Sequence, residues 1–210
     1  MFRDMIPHFE GKETEHNWLH RERSVHTLRR LTKGNAPQDY QAHYLAGIKQ
    51  LLDGILKAVN SLRTTLSAAG CSLLQDIARV NGPAIEPMVE ILLQNLIKLC
   101  GAVKKITSQS GNITVDTIIG NISYSARLLQ HMWAACQDKN TQPRLFATRW
   151  LKTLMNRHAK HKNTIEHSGG VDIIEKCIKK GLADANPGVR ENMRGTYWIF
   201  ASIWPDRARR

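Results

Sequence analysis

The sequence predicts an all-α protein built from antiparallel helix pairs. Apolar residues recur at spacings of three and four along the 210 residues, without a sustained alternation of period two. Short runs of turn-forming residues separate these segments, as at Asn186-Pro187-Gly188. Helices joined by short turns pack as antiparallel neighbours. We therefore expect about ten helices in about five antiparallel pairs, and we call the bend inside each pair an elbow.

The apolar stripes and the breaks between them give the predicted elements in order. A short amphipathic segment covers Phe2–Phe9, and Trp18–Lys33 forms the first long amphipathic helix, ended by Gly34-Asn35. The other predicted helices cover residues 44–59 (capped by Asp39), 62–80, 85–99, 103–119, 121–135, 145–155, 171–182 and 189–203. Residues 157–162 are predicted to be a basic linker.

The charge balance favours an acidic partner. The chain has 30 Lys and Arg residues against 18 Asp and Glu, a net charge of +12, and 42% hydrophobic residues as in a folded protein. Such an excess suits nucleic acid, anionic lipid or an acidic protein, and composition alone leaves all three open. No uncharged apolar run reaches about 18 residues, so we expect no membrane span, and the N-terminus is not a signal peptide.

The reactive side chains do not form a catalytic or metal-binding pattern. Cys71, Cys100, Cys136 and Cys177 are widely spaced in apolar contexts, as expected of buried thiols in a reducing compartment. His158 and His161 lack acidic or cysteine neighbours that would complete a metal site. No phosphate-binding loop or nucleophile–base constellation is evident. We therefore expect no catalytic residues, no cofactor and no metal.

A basic residue follows each predicted elbow at a nearly constant spacing. These residues are Arg21, Arg63, Lys104, Arg144 and Arg190, separated by 42, 41, 40 and 46 residues. A period of about 40–47 with two helices per unit is typical of HEAT repeats, whose equivalent loops line one edge of the stack. Helices of this length give some period near 40 by themselves, but the residue type recurs as well. We predict that the five elbows form one ridge.

Several short motifs give the chain a family resemblance. They are Asn17-Trp18-x-x-Arg21, Leu51-Leu52-Asp53-Gly54, Leu62-Arg63 with Cys71 downstream, Lys179-Lys180-Gly181-x-x-Asp184-Ala185 and Arg190-x-x-x-Arg194-x-x-Tyr197. In this order the chain resembles a TOG domain, the HEAT-repeat module of microtubule regulators. It is most similar to the second TOG domain of the CLASP family, in the manner of a fungal member. Two departures are that a TOG domain usually has six helix pairs, and that Lys104-Lys105 is more basic than the CLASP pattern.

The resemblance implies a function and a set of contact residues. Residues 1–210 would be a single TOG domain excised from a longer protein, monomeric when isolated. It would bind the tubulin heterodimer or the microtubule lattice, suppress catastrophe and promote rescue, with spindle or kinetochore proteins as further partners. It would act in the cytoplasm, on the cytoskeleton and the mitotic spindle, and in the nucleus. The implied tubulin-binding residues are Trp18, Arg21, Arg63, Lys104, Lys105, Arg144, Asn186 and Arg190.

Each of these residues also has a structural interpretation. Trp18 at a helix start could anchor the core, and the elbow cations could be solvated charges, although a cation in the first turn opposes the helix dipole. Trp133, Trp150, Trp198 and Trp204 lie on apolar faces and are predicted to pack in the core.

Two alternative functions stay open. One is a HEAT-repeat adaptor for a spindle or kinetochore protein, without direct tubulin binding. The other is a basic helical repeat that binds nucleic acid, which the lack of aromatic residues among the basic ones disfavours. Tubulin is acidic on its folded surface and in its tails, so basic elbows would steer the encounter and Trp18 would supply apolar contact.

Overall fold

The structure, a computed structural model, describes residues 1–209 and confirms the all-α prediction. Within these residues the chain forms fourteen α-helices and two short 3₁₀ turns, with no strand. The helices are α1 Phe2–Phe9, α2 Trp18–Lys33, α3 Ala36–Asp39, α4 Gln41–Gln50, α5 Leu52–Val59, α6 Thr64–Asn81, α7 Glu86–Cys100, α8 Lys105–Asn121, α9 Ala126–Cys136, α10 Thr141–His158, α11 Lys162–His167, α12 Gly170–Leu182, α13 Pro187–Ile203 and α14 Pro205–Ala208. None of these helices is long and apolar enough to cross a membrane.

Five helix pairs carry the predicted elbows. The pairs are α1–α2, α5–α6, α7–α8, α9–α10 and α12–α13. The elbows between them are residues 10–17 (elbow 1), 60–63 (elbow 2), 101–104 (elbow 3), 137–140 (elbow 4) and 183–186 (elbow 5). The helices divide into an N-terminal unit, Met1–Ile122, which holds elbows 1 to 3, and a C-terminal unit from Ser123 onward, which holds elbows 4 and 5. That residues 1–210 form one domain stays a prediction.

In the N-terminal unit the second helix of each pair packs against the next. Helix α6 lies between α2 and α8, while α5 packs on α6 and α7 on α8. Helix α1 closes this unit through two aromatic–glycine contacts. A Cβ atom built on Gly47 would lie 2.4 Å from the Phe2 ring, and one on Gly54 would lie 2.4 Å from the Phe9 ring. These glycines therefore let α1 lie close against α4 and α5.

The C-terminal unit repeats this arrangement with two pairs. Helices α9 and α12 pack together, as do α10 and α13. Trp150 and Leu154 of α10 are fully buried in its core, and Trp204 is buried as predicted. Trp133 is half-buried. Trp198 contradicts the core prediction, because its side chain points outward from α13 and is 70% exposed.

Several predicted boundaries differ from the structure: for example, the helix predicted at 121–135 begins at Ala126, and the one predicted at 145–155 covers Thr141–His158. The predicted linker 157–162 is mostly helical, since α10 continues to His158 and a 3₁₀ turn leads into α11, which is held by the fully buried Ile165. The predicted helix 44–59 is interrupted at Leu51, whose backbone leaves the helical region (φ −92°, ψ 1°). Asp39 does not cap it, because Asp39 lies inside α3 and Tyr40 precedes α4 without a side-chain cap.

Candidate functional site

The five elbow cations occupy two different positions, so they are not equivalent as predicted. Arg63 and Lys104 directly precede the first turns of α6 and α8, at the N-cap position. Arg21, Arg144 and Arg190 are each the fourth residue of the helix that follows their elbow. A spacing of about 40 residues does not separate these two positions, which lie only four residues apart on one helical turn.

The three arginines at the fourth position donate hydrogen bonds to backbone carbonyl groups of their own elbows, and Arg21 also donates to one at the end of α1. Arg21 donates to the carbonyl oxygens of His8, Glu10 and Gly11 at 3.0 to 3.2 Å. Arg21 is only 2% exposed, so its predicted role as a surface contact is corrected: its guanidinium group shapes elbow 1 from inside. The Arg21 guanidinium is therefore not accessible to a partner protein.

Elbows 4 and 5 use the same device. Arg144 donates to the carbonyl oxygens of Asp138 and Lys139 at 2.9 and 3.1 Å. Arg190 donates to the carbonyl oxygens of Asp184 and Ala185 at 2.7 and 2.8 Å. Both arginines thus satisfy carbonyl groups left unpaired where a helix ends.

Serine takes the arginine's place in elbows 2 and 3. Ser67 is the fourth residue of α6 and donates to the Val59 carbonyl at 2.6 Å. Ser108 is the fourth residue of α8 and donates to the Cys100 carbonyl at 2.5 Å. Because these buried hydroxyl groups close elbows 2 and 3, Arg63 and Lys104 are left for other contacts.

Arg144 also joins elbows 4 and 5 through a two-point ion pair. Its Nε lies 2.8 Å from Asp184 Oδ2 and its Nη2 lies 3.2 Å from Asp184 Oδ1. The side chains are only 16% and 4% exposed. Burial raises the pKa of the Asp184 carboxyl, but the Arg144 hydrogen bonds and the Asn186 N–H outweigh it and hold that pKa below its usual value. Asp184 is therefore an ionised structural carboxylate.

Asn186, the remaining predicted contact of elbow 5, caps α13. Its side-chain oxygen accepts hydrogen bonds from the backbone N–H groups of Gly188 and Val189 at 2.9 and 3.2 Å. This is the usual task of an asparagine at the N-cap position. Asn186 is half-buried, so part of its surface still faces solvent.

In the N-terminal unit Arg63 and Trp18 bring elbows 1 and 2 together. The Arg63 guanidinium lies over the Trp18 ring, 4.8 Å from its centroid, which is a cation–π arrangement. Arg63 also pairs with Glu15 and lies 3.4 Å from Glu13 of elbow 1. Trp18 is half-buried beneath this cation and stays at the surface. It is therefore neither a core anchor nor a free aromatic side chain.

Elbow 3 lies beside elbow 2 and adds two lysines. Lys104 Nζ donates to the carbonyl oxygen of Leu62 at 2.9 Å, and Lys105 begins α8. Both lysine side chains are exposed. Contacts therefore link elbows 1, 2 and 3 in sequence along one edge of the N-terminal unit.

The apolar part of this edge was not among the residues predicted from the sequence. Leu62 is 88% exposed, Val103 is fully exposed and Ile106 is exposed beside them. An apolar residue before an N-cap usually packs on the fourth helical residue as a hydrophobic staple. Here that position holds Ser67 or Ser108, so Leu62 and Val103 have no staple partner. This pattern, an apolar residue five positions before a serine at a helix start, could have revealed them.

We call this surface the elbow edge. It consists of Trp18, Leu62, Arg63, Val103, Lys104, Lys105 and Ile106. Exposed apolar side chains rimmed by cations are typical of a protein–protein interface. Within residues 1–209, no group of three or more His, Cys, Asp or Glu side chains is placed to hold a metal ion. The four cysteines are buried free thiols, and burial raises the pKa of Cys71 to about 11.

The fold and its elbows define the class of the protein as a TOG-type array of HEAT-like helix pairs. A solved structure described as "TOG-tubulin binding specificity promotes microtubule dynamics and mitotic spindle formation" superposes with a TM-score of 0.65. The superposition covers 98% of this chain and 78% of that one at 13% identity. At this identity the likeness establishes the fold.

Sequence comparison then shows the family. The family model described as CLASP N terminal matches residues 1–210, and the chain belongs to this family. It is 74% identical over 206 residues to Protein STU1 of Coccidioides immitis, and 62% identical over 208 residues to Protein stu1 of Aspergillus fumigatus. These alignments cover 98% and 99% of this chain but only 17% and 16% of the relatives. The chain thus spans about one sixth of their length.

Proposed function

We propose that this chain is a tubulin-binding module of a microtubule-associated protein and that the elbow edge is its contact surface. The observation that carries the proposal is the exposed apolar pair Leu62 and Val103, set among Arg63, Lys104 and Lys105. Membership of the CLASP N-terminal family and the TOG fold support tubulin as the partner. The partner named for the TOG structural neighbour is tubulin, which the chain's net charge of +12 suits.

Different parts of the elbow edge would act at different stages of binding. The cations would speed the encounter with an acidic surface and orient it, an effect that added salt screens. Trp18, Leu62 and Val103 would then lose water as they pack against the partner, which supplies most of the affinity. On binding, Arg63 would either break its ion pairs with Glu13 and Glu15 or bury those pairs in the interface.

In the C-terminal unit the predicted contacts would act mainly through elbow shape. Arg144, Asn186 and Arg190 are occupied by hydrogen bonds within elbows 4 and 5. We propose that Arg190 and Asn186, which are half-buried, contribute their remaining surface, while Arg144 positions the two elbows. Arg21 has the same positioning role for elbow 1.

At the level of the whole protein, we propose microtubule stabilisation. A module without chemistry of its own changes polymer dynamics only by binding one conformation of tubulin more tightly than another. Suppressed catastrophe and promoted rescue, on spindle and cytoplasmic microtubules, would follow from such a preference. Spindle or kinetochore proteins are proposed as additional partners.

A double variant tests the elbow edge directly. Leu62→Ser with Val103→Ser removes the apolar pair, and we expect tubulin affinity to fall by about tenfold or more. The matched control is Val80→Ser with Ile91→Ser, which removes two apolar side chains of the same unit exposed on α6 and α7. Binding is measured by co-sedimentation with microtubules and by size exclusion with free tubulin.

The outcomes separate the proposal from its alternatives. Weaker binding by the elbow double variant alone supports the elbow edge. Equal behaviour of both double variants and the unaltered chain, with either form of tubulin, overturns it. Absence of tubulin binding by the unaltered chain also overturns it and favours an adaptor.

A further inference from the structure

A row of basic residues on the exposed face of α2 takes no part in the elbow edge. Together with Thr27 they line a shallow surface depression of about 620 Å³. The basic residues are Arg23, His26, Arg29, Arg30 and Lys33. In the part of the chain that the structure describes, no carboxylate lines this depression. We call the four cations among them, Arg23, Arg29, Arg30 and Lys33, the α2 cation row.

A single buried carboxylate neutralises only part of the row. Asp76 of α6 lies 2.8 Å from Arg29 Nε and 3.5 Å from Lys33 Nζ. A third cation, Arg79 of α6, lies 3.8 Å from the same carboxylate. One negative charge therefore faces three positive charges at this end of the row.

The other arginines of the row have no counter-charge. Arg23 and Arg30 form no ion pair with any carboxylate of residues 1–209, and Arg30 only contacts the Thr27 hydroxyl at 3.4 Å. The helix dipole favours cations in the last turn of a helix, which accounts for Arg30 and Lys33. It does not account for Arg23, the sixth of sixteen residues. Because like charges one turn apart repel each other, an anionic ligand would relieve the row.

The dimensions of the row suit an extended peptide. Arg23 and Lys33 are ten residues apart on α2, which corresponds to about 15 Å along the helix axis. An extended chain covers that length with about five residues. Arginine side chains bind carboxylates through two parallel hydrogen bonds, and two arginines of the row are unpaired. We propose that the α2 cation row binds an extended segment of about five residues, rich in Glu or Asp, from a partner protein.

Two features favour an acidic peptide over nucleic acid. Single-stranded nucleic acid is held by aromatic side chains on which its bases stack, and no Trp, Tyr or Phe lines this depression. The row is also confined to one helix, which matches a single extended chain. The proposal goes beyond the proposed function and does not depend on it, because no residue of the row belongs to the elbow edge.

Binding of a labelled oligoglutamate peptide, followed by fluorescence anisotropy, tests the proposal. The variant Arg23→Gln with Arg30→Gln leaves the Asp76 ion pairs intact, so the fold is expected to be kept. The control variant, Lys49→Gln with Lys98→Gln, lowers the net charge equally by removing exposed lysines from α4 and α7. We expect the arginine variant to bind about five- to tenfold more weakly and the lysine variant to change less than about twofold.

Three results would overturn the proposal. The first is equal weakening by both variants, which indicates attraction by net charge alone. The second is equal binding of oligoglutamate and an oligoglutamine peptide of the same length. The third is much tighter binding of a single-stranded oligonucleotide that the arginine variant loses, which assigns the row to nucleic acid.

Tubulin binding by the same variants separates this proposal from the previous one. The variant Leu62→Ser with Val103→Ser is expected to lose tubulin affinity while it still binds the acidic peptide. The Arg23→Gln, Arg30→Gln variant is expected to do the reverse. Loss of both activities in either variant contradicts the separation of the two surfaces.

Discussion

Elbows 2 and 3 of the N-terminal unit differ from elbows 4 and 5 of the C-terminal unit in what their cations do. Arg63 and Lys104 precede their helices and lie at the surface, where a buried serine has already closed each elbow. Arg144 and Arg190 lie four residues later and close the elbows themselves. A basic residue after a bend therefore keeps its whole side chain for a partner only where another group satisfies the carbonyls of the bend, whereas Arg190 can offer only its remaining surface.

The largest expected effect is that of Arg144→Ala. It would leave the Asp184 carboxylate, only 4% exposed, without its two-point partner, which costs about 3 kcal/mol of unfolding free energy. Urea denaturation followed by circular dichroism measures it, and the variant Arg144→Ala with Asp184→Ala should lose less than the sum of the single changes. A loss below about 0.5 kcal/mol would place elbow 4 in the same class as elbow 2.

Arg190→Ala is expected to have the next largest effect on stability. It removes two charge-assisted hydrogen bonds to the elbow 5 carbonyls, worth about 1 to 2 kcal/mol together because the site is half-exposed. Thermal unfolding of Arg190→Ala and Arg190→Lys measures this effect. The lysine variant should recover part of the loss, and an unchanged melting temperature in both would show that Arg190 is free for a partner.

Acid should weaken the C-terminal elbows through Asp184. Its pKa in the folded chain lies below the usual aspartate value of 3.8, so the unfolded chain takes up the proton first as the pH falls. The contribution of the carboxylate is therefore complete above about pH 5 and is lost as the pH falls through the unfolded pKa and then the folded pKa. Urea unfolding of the unaltered chain and Asp184→Asn should differ clearly at neutral pH and converge in acid. A constant difference at all pH values contradicts the role given to this ion pair.

Arg63→Ala is expected to have the smallest effect on stability and a clear effect on binding. The Arg63 side chain is 30% exposed and its close partner Glu15 is 79% exposed, while Glu13 lies farther away at 3.4 Å, so the change in unfolding free energy should stay near or below about 0.5 kcal/mol. Tubulin affinity should fall, most strongly at low salt, and co-sedimentation over a salt series measures it. A variant that is clearly less stable but binds tubulin normally would show that Arg63 is a structural residue, as Arg144 is.

The helix pairs could be predicted from the sequence because each apolar stripe is long and periodic. Phe2–Phe9 and Trp18–Lys33 have the predicted bounds, since Gly11 and Gly34 end their stripes clearly. Residues 157–162 were the opposite case. Most of their polar side chains are exposed on a helical surface, which has the composition of a loop, and only His158 among them is buried.

The roles of individual site residues were harder to predict. Arg21 is buried because the chain before α2 folds back so that three of its carbonyls point at one side chain, an arrangement that no local pattern encodes. Leu62 and Val103 resemble ordinary core residues until the serines at the fourth helix positions are considered. Their exposure becomes evident only when each is compared with the serine at the fourth position of the following helix, which cannot serve as an apolar staple partner.

The conformation of elbow 1 depends on helix α1, whose residues precede the elbow in the chain. Phe2 and Phe9 fill the space above Gly47 and Gly54, while His8, Glu10 and Gly11 hold the Arg21 guanidinium. A fragment that starts at residue 12 would keep Trp18 and Arg63. It would leave the Arg21 guanidinium without its carbonyl partners and would expose the surfaces of Gly47 and Gly54 that Phe2 and Phe9 cover. The first helix, α1, thus holds elbow 1 and Trp18 in place.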